Sequence, residues 1–169
     1  MPGYEYINKE EKKALMKLFD EGGVLFAHGF DAIRKKYHVR EFEQKINSFF
    51  KSNSTLCVSS GTAAIKCALI GLGVKQGDEV ITQSFNFIAT VEAIHDLGAK
   101  PIIIGIDKTL NMCPKQLSES IGPKTKAIIP VHMLGVPAKM KEIKALGRKH
   151  KIPIIEDACE AVGAKYDGK

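Results

Sequence analysis

The sequence has few arginines, and this scarcity argues against a nucleic-acid partner. Only three of its 25 basic residues are arginine, namely Arg34, Arg40 and Arg148. Proteins that contact phosphates and bases favour the bidentate guanidinium of arginine. The net charge of +6 therefore comes from lysines, which lie mostly on the polar faces of predicted helices. We interpret this charge as solvated surface.

Long apolar runs are also missing. The most apolar stretch, residues 127–138, is interrupted by Pro130, His132 and Pro137, so it does not fit a membrane span. The N-terminus has neither the basic start nor the apolar run of a signal peptide. We therefore expect a cytoplasmic protein without a membrane partner.

The cysteines lack the spacing of a metal site. No CxxC pair and no zinc-type pattern occurs, so we predict no metal site and no disulfide. We expect them to act as small buried hydrophobic residues. They are Cys57, Cys67, Cys113 and Cys159.

The first third of the chain predicts two helices. Asn8 followed by Glu11 is typical of a capping box, and the helix it starts should end at Gly22 and Gly23. A second amphipathic helix is predicted near residues 40–51, after a loop over residues 24–38. We assign residues 1–54 to an N-terminal helical segment.

From Thr55 onward, short apolar runs alternate with helical patterns. Strands are predicted at residues 56–58, 79–82, 101–106, 127–131 and 152–155, and the helices between them begin near residues 61, 86, 114 and 137. The helix after residue 60 should turn Ala64, Ile65, Ala68, Leu69 and Leu72 inward. This alternation predicts an α/β fold with a parallel-rich sheet and flanking helices over residues 55–169.

Ligands of such sheets bind beyond the carboxyl ends of the strands. That rule selects four segments, residues 59–63, 84–87, 132–135 and 156–160. The first could bind a phosphate through a helix N-terminus or be an ordinary capped turn. Phe87 could stack on a flat heteroaromatic ring or be core. Asp157 could pair with a protonated ring nitrogen or be a helix cap or surface acid.

Five blocks in this order resemble the DegT/DnrJ/EryC1/StrS aminotransferase family. They are residues 59–64 (SSGTAA), 77–82 (GDEVIT), 85–90 (FNFIAT), 130–135 (PVHMLG) and 156–158 (EDA). The resemblance implies the large domain of the aspartate-aminotransferase class (pyridoxal-phosphate, or PLP, fold type I) and a homodimer. It implies transfer of an amino group from an amino acid donor to a keto group on a nucleotide-linked sugar, in polysaccharide or nucleotide-sugar biosynthesis.

The resemblance also implies roles for particular residues. Phe87 would stack on the cofactor ring, Asp157 would pair with the ring nitrogen, and Glu160 would lie beside the 3-hydroxyl, where many members carry Gln or His. The residues that would hold the cofactor phosphate are Gly61, Thr62 and Ala63.

The lysine that forms the family's Schiff base is expected beyond Lys169, and neither Lys165 nor Lys169 matches it. We therefore predict no catalytic residue within this chain, no transamination by the chain alone, and a sheet with an exposed edge. Two alternatives stay open. One is a PLP-dependent sugar dehydratase of the same family, in which a histidine replaces the lysine. The other is a non-catalytic remnant that keeps only a phosphate-binding site.

Overall fold

A computed structural model describes residues 4–22, 29, 32–33 and 36–168. The chain divides into two compact units, Met1–Cys57 and Val58–Lys169. Each unit has its own set of elements and is considered by itself.

The first unit contains a short 3-10 helix (Tyr4–Tyr6) and two α-helices, α1 (Lys9–Asp20) and α2 (His38–Phe50). The predicted capping box is confirmed. The Asn8 side chain accepts a hydrogen bond from the Glu10 N–H at 2.9 Å, and the Asn8 N–H donates to the Glu11 carboxylate at 2.8 Å. The second helix begins slightly before the predicted bound, and most of the predicted loop over residues 24–38 lies outside the described residues.

The second unit alternates helices with strands, as predicted. In chain order they are α3 (Gly61–Gly71), β1 (Glu79–Gln83), α4 (Ile88–His95), β2 (Lys100–Ile104), α5 (Pro114–Ser120), β3 (Thr125–Ile129), a 3-10 turn (Met133–Gly135) and α6 (Met140–His150).

The three strands form a parallel sheet in the order β2-β1-β3, which confirms the predicted parallel α/β fold. A fourth extended segment lies beside β3, where Ile154 bridges Ile128 and Asp157 bridges Val131 in parallel. The prediction of a continuous strand over residues 152–155 is wrong, because these contacts are isolated bridges and not a ladder. The carboxyl ends of all four segments nevertheless lie at one edge.

The sheet separates two apolar clusters because successive side chains of a strand point to opposite faces. Val80 joins the cluster that contains Leu69 of α3 and Ile94 of α4. Ile81 joins the other, with Leu117 of α5 among its members. Both faces are therefore covered by helices, as expected for a parallel sheet.

Three expectations about the chain from Thr55 onward are wrong. Residues 56–58 form no strand: Leu56 and Val58 are exposed, and no described residue pairs with this segment, so an apolar run alone did not produce a ladder. Ala64 is exposed, on the outer side of α3. The cysteines are not buried: Cys67 and Cys159 are exposed, and Cys57 and Cys113 are half-buried.

The sheet's stability offers a direct test with two isoleucines on neighbouring strands. Ile81 of β1 is fully buried, whereas Ile103 of β2 is 54% exposed. Ile81→Ala should lower the free energy of unfolding by about 2–5 kcal/mol, because it removes buried methyl groups and leaves a cavity. Ile103→Ala should cost less than about 1 kcal/mol. Urea denaturation followed by circular dichroism measures both, and equal losses would contradict the described burial.

Candidate active site

The helices that flank β1 place their N-termini at the carboxyl edge of the sheet. The last turn of α3 leads through residues 72–78 into the amino end of β1, so α3 runs antiparallel to that strand. The next helix, α4, starts directly after the carboxyl end of β1. Residues 59–63 and 84–87 therefore approach the same edge, where ligands of parallel sheets bind.

The N-terminus of α3 is open to an anion. Ser60 caps the helix, and its hydroxyl accepts the Ala63 N–H at 3.1 Å. Among the described residues, the N–H groups of Gly61 and Thr62 have no hydrogen-bond acceptor. A Cβ added at Gly61 would meet no atom within 4 Å. Free N–H groups, a helix dipole and an open approach together suit a phosphate.

Phe87 is the N-cap residue of α4 and is 75% exposed. The alternative that this phenyl group belongs to the core is therefore wrong. The residues that follow it, Ala89 and Thr90, are buried and fix the start of the helix. An exposed ring on a fixed helix end is available to stack on another flat ring.

Asp157 is half-buried and is held by its backbone against the segment that follows β3. Its N–H donates to the Pro130 carbonyl at 3.0 Å, and its carbonyl accepts the His132 N–H at 2.9 Å. The side-chain Oδ1 accepts the Cys159 N–H at 3.1 Å. The carboxylate is therefore fixed at the edge of the sheet by its neighbours in sequence and across the sheet.

The Cys159 thiol beside it is not a nucleophile at neutral pH. Although the residue as a whole is exposed, partial desolvation of the thiol, and then the hydrogen bond and charge of Asp157, raise the pKa of Cys159 to about 11. A thiol with so high a pKa stays protonated, and only the thiolate reacts.

Glu156 precedes Asp157, but its contacts are structural. His132 is buried, and its Nδ1 accepts the Ala138 N–H at 3.1 Å, so Nε2 carries the ring proton and donates to Glu156 at 3.1 Å. Lys144 of α6 approaches the same carboxylate at 2.9 Å. Hydrogen bonding from His132, and then from Lys144, lowers the pKa of Glu156 to about 2 against burial.

Glu160 joins two of the edge segments. Its Oε2 accepts the Leu134 N–H at 3.0 Å, within the 3-10 turn. Leu134 and Gly135 both have positive φ, 51° and 81°. This contact holds the turn against the chain that follows Asp157.

Direct hydrogen bonds join two of the four segments that the sequence selected, and a third is linked indirectly. Residues 132–135 contact residues 156–160, and residues 84–87 are tied to β3 through Thr82, which accepts from Asn86 and donates to the Ile129 carbonyl. The fourth segment, residues 59–63, is placed by the direction of α3, and no described hydrogen bond links it to the others.

Sequence reasoning missed two buried amide side chains behind these segments, Gln83 and Asn111. Asn111 accepts the Met133 N–H at 2.9 Å and donates to the Val136 carbonyl at 3.1 Å, so it anchors both ends of the turn. Their signal in the sequence is a polar residue within or beside an apolar strand. That signal cannot name the partners, which lie far along the chain.

The sequence profile of the DegT/DnrJ/EryC1/StrS aminotransferase family matches residues 21–169. The chain belongs to this family.

Two curated relatives illustrate the match. The chain is 38% identical over 168 residues to the UDP-2-acetamido-2-deoxy-3-oxo-D-glucuronate aminotransferase of Pseudomonas aeruginosa, and the match covers 98% of this chain and 46% of the relative. It is 43% identical over 133 residues to a pleiotropic regulatory protein of Geobacillus stearothermophilus, and this match covers 78% of this chain and 36% of the relative. The chain thus spans less than half the length of these relatives.

Solved structures of the family share the fold. DesV of S. venezuelae superposes with a TM-score of 0.87 at 32% identity, over 98% of this chain and 43% of that one. The E. coli GDP-4-keto-6-deoxy-D-mannose-3-dehydratase, solved with bound hydrated PLP, superposes with a TM-score of 0.82 at 28% identity, over 96% and 41%. The fold is therefore PLP fold type I, and pyridoxal phosphate is the family's cofactor.

Two kinds of feature are absent from the described residues. None of the helices in the described ranges has both the length and the apolar character needed to cross a membrane. No group of three His, Cys, Asp or Glu side chains in the same ranges is arranged to hold a metal ion.

The Glu156 contacts predict a dependence of stability on pH. The pKa of Glu156 is lowered from 4.5 to about 2 in the folded chain, so the stabilisation is complete above pH 4.5 and is lost as the pH falls towards 2. Because the side chain is 39% exposed, we expect solvent screening to limit the effect to about 1 kcal/mol. Glu156→Gln should flatten the decline in unfolding free energy between pH 4.5 and 2.

The measurement is urea denaturation at a series of pH values. Glu119→Gln is the matched control, since Glu119 is exposed and forms no ion pair with a described residue. An unchanged decline in Glu156→Gln would show that the bonds from His132 and Lys144 contribute nothing to folding.

Proposed function

We propose that this chain forms the cofactor-holding part of a PLP-dependent aminotransferase that acts on a nucleotide-linked keto sugar with an amino acid donor. The observation that carries the proposal is the common edge shared by an open helix N-terminus, an exposed aromatic ring and a fixed carboxylate. The residues present fit PLP, which has one phosphate, one flat ring and one basic ring nitrogen.

The phosphate is assigned to the start of α3. The N–H groups of Gly61 and Thr62 and the Thr62 hydroxyl are donors, and Ala63 completes the small-residue turn. The absence of a side chain at Gly61 leaves room for the oxygens of the anion. A dianionic phosphate there also interacts favourably with the positive end of the helix dipole.

The ring is assigned to Phe87 and Asp157. Phe87 offers a face for stacking, and Asp157 offers a negative charge that keeps a proton on the ring nitrogen. When bound, PLP supplies an electron sink that allows an amino group to be exchanged for a keto group. The role of Asp157 would be to hold that proton in place, and Glu160 would accept a hydrogen bond from the 3-hydroxyl.

The substrate class is proposed from the relatives. The P. aeruginosa relative is named as an aminotransferase of an oxo sugar linked to UDP, which supports a nucleotide-sugar substrate here. A second candidate is a PLP-dependent sugar dehydratase, supported by the likeness to the E. coli dehydratase. The identity of the Schiff-base position, lysine or histidine, distinguishes the two.

The remaining aspects of the proposal concern assembly and activity. We propose that the whole enzyme is a cytoplasmic homodimer. We also propose that residues 1–169 bind PLP but do not transaminate by themselves, because neither Lys165 nor Lys169 matches the lysine of the family. Sustained turnover of a keto sugar with glutamate by residues 1–169 would disprove this last statement.

The ring assignment predicts the effect of removing one charge. Asp157→Asn should weaken PLP binding about tenfold, because the amide cannot stabilise a protonated ring nitrogen. It should also lower the pH at which the near-visible absorption of the bound cofactor changes. Titration of residues 1–169 with PLP, followed by absorption, measures both quantities.

Asp96→Asn is the matched control for this substitution. Asp96 caps the far end of α4 and pairs with Lys66 at 2.9 Å, away from the carboxyl edge. It should bind PLP as the parent chain does. If Asp157→Asn binds PLP with the parent's affinity and spectrum, Asp157 does not face the ring nitrogen.

A further inference from the structure

Gln83 is a buried amide at the point where β1 reaches the carboxyl edge. It is 1% exposed and follows the buried residues Val80, Ile81 and Thr82. A buried amide without partners costs several kcal/mol relative to water. Its presence at the end of an apolar strand therefore needs an explanation from its contacts.

All four hydrogen-bonding positions of the Gln83 amide are used. Its Nε2 donates to the carbonyls of Phe85 at 3.0 Å and Leu110 at 3.1 Å. Its Oε1 accepts the N–H groups of Met112 at 3.0 Å and Val131 at 3.1 Å. Only one orientation of the amide satisfies two carbonyls and two N–H groups, so the assignment of its oxygen and nitrogen is determined.

These partners belong to three different segments. Phe85 lies in the connection from β1 to α4, two residues before Phe87. Leu110 and Met112 belong to a tight turn closed by the bridge between Ile106 and Met112. Val131 follows β3 and bridges Asp157. One side chain thus contacts the segment that carries Phe87 and the segment that pairs with Asp157.

We propose that Gln83 is a positioning residue that fixes Phe87 and Asp157 relative to each other for the cofactor ring. The inference rests on the proposed function, because it assigns those two residues to the ring. Gln83 restrains Phe87 through its hydrogen bond to the Phe85 carbonyl. It restrains Asp157 through its hydrogen bond from the Val131 N–H, because Val131 bridges Asp157. Gln83 itself is buried behind the edge and touches neither cofactor nor substrate.

Two substitutions separate the donor half of the amide from its acceptor half. Gln83→Met keeps the approximate volume and removes all four bonds. Gln83→Glu keeps an acceptor for Met112 and Val131 but, when ionised, has no proton to donate to Phe85 and Leu110. Ile143→Ala is the control for lost stability, because Ile143 is fully buried in α6 in the same apolar cluster as Met112, but its side chain makes no hydrogen bond to these segments.

The first measurement is amide hydrogen exchange in residues 1–169 without cofactor. In Gln83→Met the Met112 and Val131 amides should exchange about tenfold faster relative to the Ile128 amide, which donates to Pro153. In Gln83→Glu both should keep their relative protection. In Ile143→Ala the relative rates should not change.

The second measurement is PLP titration with the circular dichroism of the bound cofactor, which reports the orientation of the ring. Gln83→Met should weaken PLP binding about tenfold and change the dichroism signal. Ile143→Ala should do neither, when the two variants are compared at denaturant concentrations that give them equal free energies of unfolding. Gln83→Glu should also weaken binding at neutral pH. Its deficit relative to the parent should shrink at acidic pH, where the protonated carboxyl regains one donor.

The outcomes distinguish the inference from the function on which it rests. If the parent chain binds no PLP, the proposed function of this chain fails and the role of Gln83 fails with it. If the parent binds PLP and Gln83→Met matches it in affinity and dichroism, only the positioning role is overturned. The role is also overturned if Gln83→Met and Ile143→Ala, at matched stability, lose the same affinity.

Discussion

The candidate site depends on one constraint: backbone groups buried at the carboxyl edge of a parallel sheet must find hydrogen-bond partners where the strand ladders end. Beyond β1 and β3, the backbone of the described residues supplies only part of them, at isolated bridges and single bonds. Side chains supply others, because Gln83 satisfies four backbone groups and Asn111 satisfies the Met133 N–H and the Val136 carbonyl. The hydrogen bonds that satisfy these buried backbone groups also determine where the edge segments lie.

The two adjacent acids at this edge show how neighbours separate chemical roles. Glu156 is engaged by a buried imidazole and an ammonium group, which lower the pKa of its carboxyl to about 2, and its charge stabilises the fold. Asp157 is held mainly by backbone contacts and a nearby amide, so its charge remains available to a ligand. In the proposed function, two consecutive acidic residues therefore serve folding (Glu156) and cofactor binding (Asp157).

The sequence correctly predicted the elements that are determined by residues close together in the chain. Strands β1 to β3 were identified from short apolar runs, and the cap of α1 from Asn8 and Glu11. Residues 56–58 were misassigned because a strand requires a partner that an apolar run cannot reveal. The cysteines were misassigned because small apolar side chains occur on exposed helix faces, as at Cys67, and in turns and loops as well as in cores.

The candidate site was less predictable than the fold. The family resemblance named Thr62, Phe87 and Asp157, but Gln83 could not be identified, because its partners lie up to 48 residues away. The exposure of Phe87 was similarly beyond the sequence, since an aromatic at a strand-to-helix junction fits burial and exposure equally. What the pattern lacked in each case was information about distant neighbours.

The position of Pro101 has a consequence for self-association. Among the described strands, β2 has β1 as its one neighbour, and the Lys100 N–H donates inward to the Asp78 carbonyl. Alternate residues of a parallel strand bond to the same neighbour, so the nitrogen of Pro101 faces outward, where it has no hydrogen to offer. A strand that paired with this edge of β2 would lack a hydrogen-bond donor at Pro101. The exposed apolar side chain of Ile103, on the same strand, would otherwise favour such pairing. A single imino acid thus makes this border a poor template for aggregation.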